Sequence, residues 1–145
     1  MQGKLNTYKK NDVGTADRGR LLLMIYDHCI KWANNAVEAI NNGEIAQKNL
    51  ALVKVQDGIN ELSYSLDLEK GGEIAKNLQN LYAFYNQHLV EANLKNSASH
   101  VKEVIAMLQD LRDAWSKAIS TVRKDKNTAG RLQQSSQKSY ISMVG

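Results

Sequence analysis

The chain contains no proline. A proline ring removes a backbone donor and clashes with the preceding helical turn, so its absence leaves no obligatory break inside a helix. Glycine is sparse, nine in 145 residues, and falls mostly between periodic segments or near the ends. The single cysteine, Cys29, excludes an intrachain disulfide and fits a reducing compartment. Long apolar runs are missing as well. The longest, Leu21 to Tyr26, has six residues, far short of the ~20 that span a bilayer. The N-terminal MQGKLNTYKKN lacks an apolar core region, so no secretory signal is expected and the cytoplasm is the expected location. Charge is balanced and interleaved, with 19 basic and 15 acidic residues and a net charge of +4. A nucleic-acid platform needs a basic stripe or stacking aromatics; neither is evident, so no nucleic-acid partner is expected.

Helical periodicity fills the space these absences leave. Four apolar stripes repeat at intervals of three and four. The first runs from about Asp17, read as the N-cap, to Ile40, with Leu22, Ile25, Tyr26, Cys29, Ala33, Ala36, Val37 and Ile40 inward. Asn41 to Gly43 ends it, the glycine being suited to a left-handed C-cap. The second spans about Glu44 to Asp67 with Ile45, Leu52, Val55, Ile59, Leu62 and Leu66 inward and Lys48 as its one polar break. EKGG then turns the chain. The third spans about Glu73 to Leu94, with Ile74, Leu78, Leu81, Tyr82, Tyr85, Leu89 and Ala92 inward. Asn96 or Ser97 caps the fourth, whose stripe runs from Val101 to Val122 and which ends near Arg123. Short connections make sequence neighbours antiparallel. The expected fold is all-α, an up-down-up-down four-helix bundle over residues 16–124. Residues 1–15 form an N-terminal arm and residues 125–145 a flexible tail, with a short fifth helix near Gln133 to Ile141 as an option.

Catalytic constellations are not found. His28, His88 and His100 match neither the Glu-x-x-His pairs of di-iron bundles nor the His-Glu-x-x-His of zinc hydrolases, and read as solvated or half-buried side chains. Cys29 lies on an inward stripe, where a thiol behaves as a small hydrophobe, with no activating base beside it. The glycine pair in EKGGEIAKN lacks the phosphate-loop spacing and follows no strand. No enzyme, cofactor or metal is expected.

Apolar residues remain after the core is assigned. Ala46, Leu50, Val53, Tyr64 and Leu68 form a second stripe opposite Ile59, interrupted near Asp57 and Asn60. Leu21, Met24 and Trp32 lie outside the inward stripe of the first helix. Exposed apolar strips on a small domain mark partner sites, so a partner helix is the expected occupant, with the arm, the tail or a second copy of the chain as the alternatives. A homodimeric structural bundle is the alternative reading from this pattern.

The segments TADRGRLLLMIYDHCIKW and LDLEKGGEIAKNLQNLYAFYNQHLVEANLKNSASHVKEVIAMLQDLRDAW resemble the flagellar secretion chaperone family FliS. GGEIAKNLQNLY, ANLKN and the Leu-Arg-x-Ala-Trp ending carry the resemblance. Asp17-Arg18 stands where that family usually has Ser-Pro, which keeps a capping side chain and loses the proline. The resemblance implies a helical bundle that binds the disordered C-terminal segment of flagellin and prevents premature polymerisation in the cytosol. It also implies delivery of that cargo to the cytosolic domain of the flagellar type III export gate. No nucleotide or metal enters that mechanism, and nothing inserts into the membrane. It further implies a role for Leu5 and Tyr8, the aliphatic–tyrosine spacing of the family's arm, which would lie across the groove in the free protein. The partner-binding set expected from surplus and resemblance together is Leu5, Tyr8, Leu21, Met24, Leu50, Val53, Tyr64 and Leu68.

Overall fold

The structure is a computed structural model that describes residues 15–128, with side chains described for residues 17–125. Four helices follow in order: α1 (Thr15–Asn42), α2 (Ile45–Tyr64), α3 (Leu68–Lys95) and α4 (Ala98–Thr128). The all-α four-helix bundle expected from periodicity is the observed fold. α1 packs against α2 and α4, and α3 against the same two from the other side.

The boundaries show which local signals win. α1 begins at Thr15, so Asp17 sits in its first turn and acts on the helix dipole rather than as the N-cap. Gly43 takes φ 69° and closes α1, with Glu44 N–H donating to the Ala39 carbonyl at 2.9 Å. EKGG is a kink inside α3 rather than a turn before it. Asp67 caps a first turn, its Oδ1 accepting from Lys70 N–H at 3.0 Å. Gly72 then adopts φ 54°, ψ −132°, a region nearly closed to residues with a β-carbon, and the main body follows. Asn96, at φ 51°, ends α3. Ser97 caps α4 by accepting His100 N–H at 3.2 Å. α4 passes the expected end near Arg123 and runs to Thr128.

Small residues explain where the helices approach most closely. A β-carbon on Gly19 of α1 would meet Ile119 of α4 at 2.9 Å, and one on Gly58 of α2 would overlap the Cys29 sulfur of α1. Ala33, Ala36, Ala39 and Ala51 are buried around the same interfaces. α3 instead brings Tyr82 and Tyr85 inward, and the centre of the bundle is a polar knot among aromatics. Tyr26 and Tyr82 hydroxyls lie 2.6 Å apart, and Trp115 Nε1 donates to Tyr26 Oη at 3.2 Å. Buried hydroxyls and indole N–H groups find partners in this way.

Three expected positions are corrected. Leu21, assigned outside the inward stripe, is only 4% exposed and belongs to the core, because α1 is covered on two flanks and its buried arc is wider than one stripe. Ile45, assigned inward, is 64% exposed. It precedes Lys48 by one turn, and Lys48 already reaches the last turn of α3, so Ile45 projects past the end of that helix. Ile74 is exposed because Ala75, not Ile74, takes the inward position after the Gly72 kink.

Candidate functional site

α2 has two apolar faces. Ala51, Leu52, Val55, Ile59 and Leu62 are buried, while Leu50 and Val53 are half exposed and Tyr64 is 65% exposed. Leu68 continues the line at the start of α3, and Met24 adds an exposed thioether from α1. Of the expected set, the structure therefore leaves Met24, Leu50, Val53, Tyr64 and Leu68 accessible on the α1–α2–α3 side of the bundle. Leu21 is removed from that surface by its burial. Leu5 and Tyr8 lie outside the described residues, as do the residues of the optional fifth helix.

The α1–α2 seam opens at one point and is walled there by an indole. A pocket of about 230 Å³ opens between Trp32, Asn35, Ala39, Gln47, Leu50 and Ala51. Trp32 packs partly on the core, with the Lys31 and Lys54 ammonium groups 5.9 and 6.0 Å from its ring centroid and the His28 ring at 6.3 Å. Cation–π contact and ring packing fix the indole as a wall of the seam. Farther along the same face, burial raises the Glu61 carboxyl above its ordinary value.

The α2–α3 seam extends the surface beyond what periodicity alone isolates. Asn86 Nδ2 donates to Asn60 Oδ1 at 2.9 Å across it. Val53 lies two turns before Asn60, and Val90 and Leu94 lie one and two turns after Asn86, so all three follow this seam. Val90 is half exposed and Leu94 is 78% exposed. The signal for them is their spacing of four along the flank, away from the inward stripe. It emerges only once α2 is known to lie beside that flank. Ile45, Ile74 and Phe84 are further exposed apolar residues missed as surface groups.

Among the described residues, the single thiol is not available as a nucleophile. Cys29 is fully buried, its thiol is pushed up to about 12 by desolvation, and its Sγ faces the Val55 carbonyl at 3.8 Å. A thiol so raised is unreactive at neutral pH. His28 stands apart on α1, whereas His88 of α3 and His100 of α4 meet with ring centroids 4.5 Å apart. Among the described residues no helix is long and apolar enough to cross a membrane.

A family model described as "Flagellar protein FliS" matches residues 1–122. The flagellar secretion chaperone FliS of Bacillus subtilis (strain 168) is 36% identical over 132 residues, covering 91% of this chain and 98% of that protein. The chaperone of the same name from Campylobacter jejuni is 35% identical over 117 residues, covering 79% of this chain and 91% of that protein. The one from Salmonella typhimurium is 36% identical over 104 residues, with coverages of 71% and 77%.

Proposed function

The chain belongs to the FliS family of flagellar secretion chaperones, and on that premise we propose that it binds the disordered C-terminal segment of flagellin along the apolar α1–α2–α3 side. Bound there, the segment is kept from polymerising in the cytosol until the complex reaches the cytosolic domain of the type III export gate. A chaperone family works by binding, so no catalytic group is needed.

The observation that carries this reading is the second apolar face of α2, exposed along a helix of 20 residues, which is roughly 30 Å long. Ordering a disordered segment costs ~2–5 kcal/mol or more of the gross interaction energy. An extended line of half-exposed Leu50, Val53, Tyr64, Leu68 and Met24 offsets that cost better than one compact pocket, because contacts accumulate along the segment. Where the segment is helical, its i, i+3, i+4 and i+7 side chains match such a line. Leu5 and Tyr8 of the arm compete for or complete the same surface.

Calorimetric titration with a flagellin C-terminal peptide tests the proposal. Binding at micromolar concentrations is expected for the intact chain. Leu50→Asp combined with Val53→Asp should abolish it while far-UV circular dichroism stays unchanged. Binding that survives this double substitution would place the groove elsewhere. Light scattering addresses a homodimer on the same face: a dimer that persists at saturating peptide would favour the structural-bundle reading.

A further inference from the structure

The α3–α4 seam, on the opposite flank of α3 from α2, carries a different kind of arrangement. Glu91 Oε2 lies 3.9 Å from His88 Nδ1 and 3.8 Å from His100 Nε2. These three ligand atoms all fall within 4.8 Å of one another. The other nitrogen of each ring is already engaged. His88 Nε2 is 2.5 Å from Glu103 Oε1, and His100 Nδ1 is 2.6 Å from Ser97 Oγ.

Those outer contacts are compatible with tautomers that free the inner ring nitrogens. An ionised carboxylate only accepts, so the hydrogen of neutral His88 sits on Nε2 and leaves the Nδ1 lone pair toward Glu91. Ser97 Oγ accepts the His100 backbone N–H as the α4 cap, and its hydroxyl can either donate to His100 Nδ1 or accept from it. In the accepting arrangement the ring hydrogen sits on Nδ1 and His100 Nε2 turns a lone pair toward the same Glu91 carboxylate. Two imidazole lone pairs and one carboxylate thus converge, each ring backed by its own acceptor. Metal-bound histidines are held in this way, the outer hydrogen bond fixing both tautomer and ring orientation. Phe84 stacks on His88 with centroids 5.3 Å apart and planes 23° from parallel, and both histidines are half-buried.

We propose that His88 Nδ1, Glu91 and His100 Nε2 form a site for a zinc-type divalent transition ion, with water completing the coordination. The imidazole content selects this class over calcium or magnesium, which prefer all-oxygen shells. Bonds of ~2.0–2.1 Å put tetrahedral ligand atoms roughly 3.3 Å apart, so the 3.8 and 3.9 Å spacings to Glu91 must close by about half an ångström, and the two ring nitrogens, within 4.8 Å of each other, by up to about 1.5 Å. Rotation of the Glu91 side chain, the most exposed of the three, supplies the carboxylate's share, and rotation of the histidine rings supplies the rest. The bound ion would tie the end of α3 to the first turn of α4 across the Asn96–Ser97 turn. The pair escapes sequence reading because its histidines come from two helices and share no short motif.

The test uses the full chain, stripped of metal by a chelator and titrated with Co²⁺ and then Zn²⁺. Co²⁺ is expected to produce the visible absorption of a tetrahedral site, Zn²⁺ to bleach it, and Zn²⁺ to raise the melting temperature reversibly. His100→Ala and the isosteric Glu91→Gln should each weaken Zn²⁺ binding by about tenfold or more. Glu103→Gln, which leaves all three ligands in place, should also weaken it within the ~10–100-fold range of outer-shell changes. His28→Ala should change nothing. Circular dichroism of Glu91→Gln checks that loss of binding is not loss of fold. Failure of the intact chain to bind either ion at tens of micromolar would overturn the proposal, as would binding indifferent to both His100→Ala and Glu91→Gln.

Discussion

Gly58 faces Cys29 so closely that any β-carbon there would overlap the thiol sulfur. Two effects of opposite sign meet at this residue. Alanine in place of glycine inside a helix gains about 1 kcal/mol from propensity, while an extra methyl in a packed interface costs ~1–3 kcal/mol. Both neighbours are buried, so relaxation is limited and overpacking outweighs propensity. Gly58→Ala is therefore expected to destabilise the bundle in urea unfolding by about 1–2 kcal/mol. Cys29→Ala in the Gly58→Ala background removes the obstructing sulfur and should recover much of that loss, giving a coupling energy of order 1 kcal/mol in a double-mutant cycle. Additive effects would show that the two residues do not share the constraint.

Helices α1 and α2 differ in how much of them a periodicity argument can reach. The inward stripe of α2 is buried at Leu52, Val55, Ile59 and Leu62, and its second stripe is exposed at Leu50, Val53 and Tyr64, because an apolar repeat reports angular position directly. Periodicity does not report how many neighbours a helix has. Leu21 lies outside a single stripe, yet it is covered because α1 packs on both α2 and α4. Val90 and Leu94 were invisible as a surface for the converse reason: their meaning depends on which helix borders them. Lys48 shows a third limit. It was legible as a break in an apolar stripe but not as a linker, since its partners come from the far end of α3. Its Nζ donates to Asn96 Oδ1 at 2.6 Å and to the Asn93 carbonyl at 3.3 Å, with 6% of the residue exposed. The ammonium thus satisfies carbonyl-rich positions at a helix C-terminus. Lys48→Met retains the apolar stem and removes both bonds, so a loss of about 1–3 kcal/mol is expected in thermal or urea unfolding. Asn96→Gly accepts the left-handed φ and loses the side-chain acceptor, so it should couple with Lys48→Met. A Lys48→Met variant as stable as the parent would mean that water replaces the lysine at no cost.

At the scale of the whole bundle, protonation ties the helices together. Tyr26 of α1 and Tyr82 and Tyr85 of α3 are buried, and desolvation raises all three hydroxyls above the ordinary 10.0, Tyr85 to about 12. Burial moves Cys29 in the same direction, from 9.0 to about 12. For each group the neutral, protonated form is the one the fold accommodates. The corresponding stability is fully present below the unfolded values of 9.0 and 10.0 and is lost as pH rises toward the folded ones. Within that window every group whose folded value is raised adds to the loss in the same direction. Because the total stability of a domain is only ~5–15 kcal/mol, several such groups titrating together are enough to unfold it. We expect helicity to hold through neutral and mildly alkaline pH and to collapse cooperatively between about pH 10 and 12, with phenolate absorbance from the buried tyrosines appearing only as helicity falls. Tyr85→Phe deletes one of the titrating groups and should make the alkaline transition shallower, whereas a substitution at exposed Tyr64 should leave it unchanged. Helix loss centred below pH 9, or buried-tyrosine ionisation while circular dichroism remains native, would contradict a core held together by its neutral hydroxyls. The same core spans α1, α3 and α4 through Tyr26, Tyr82 and Trp115, so its titration is felt by three helices at once.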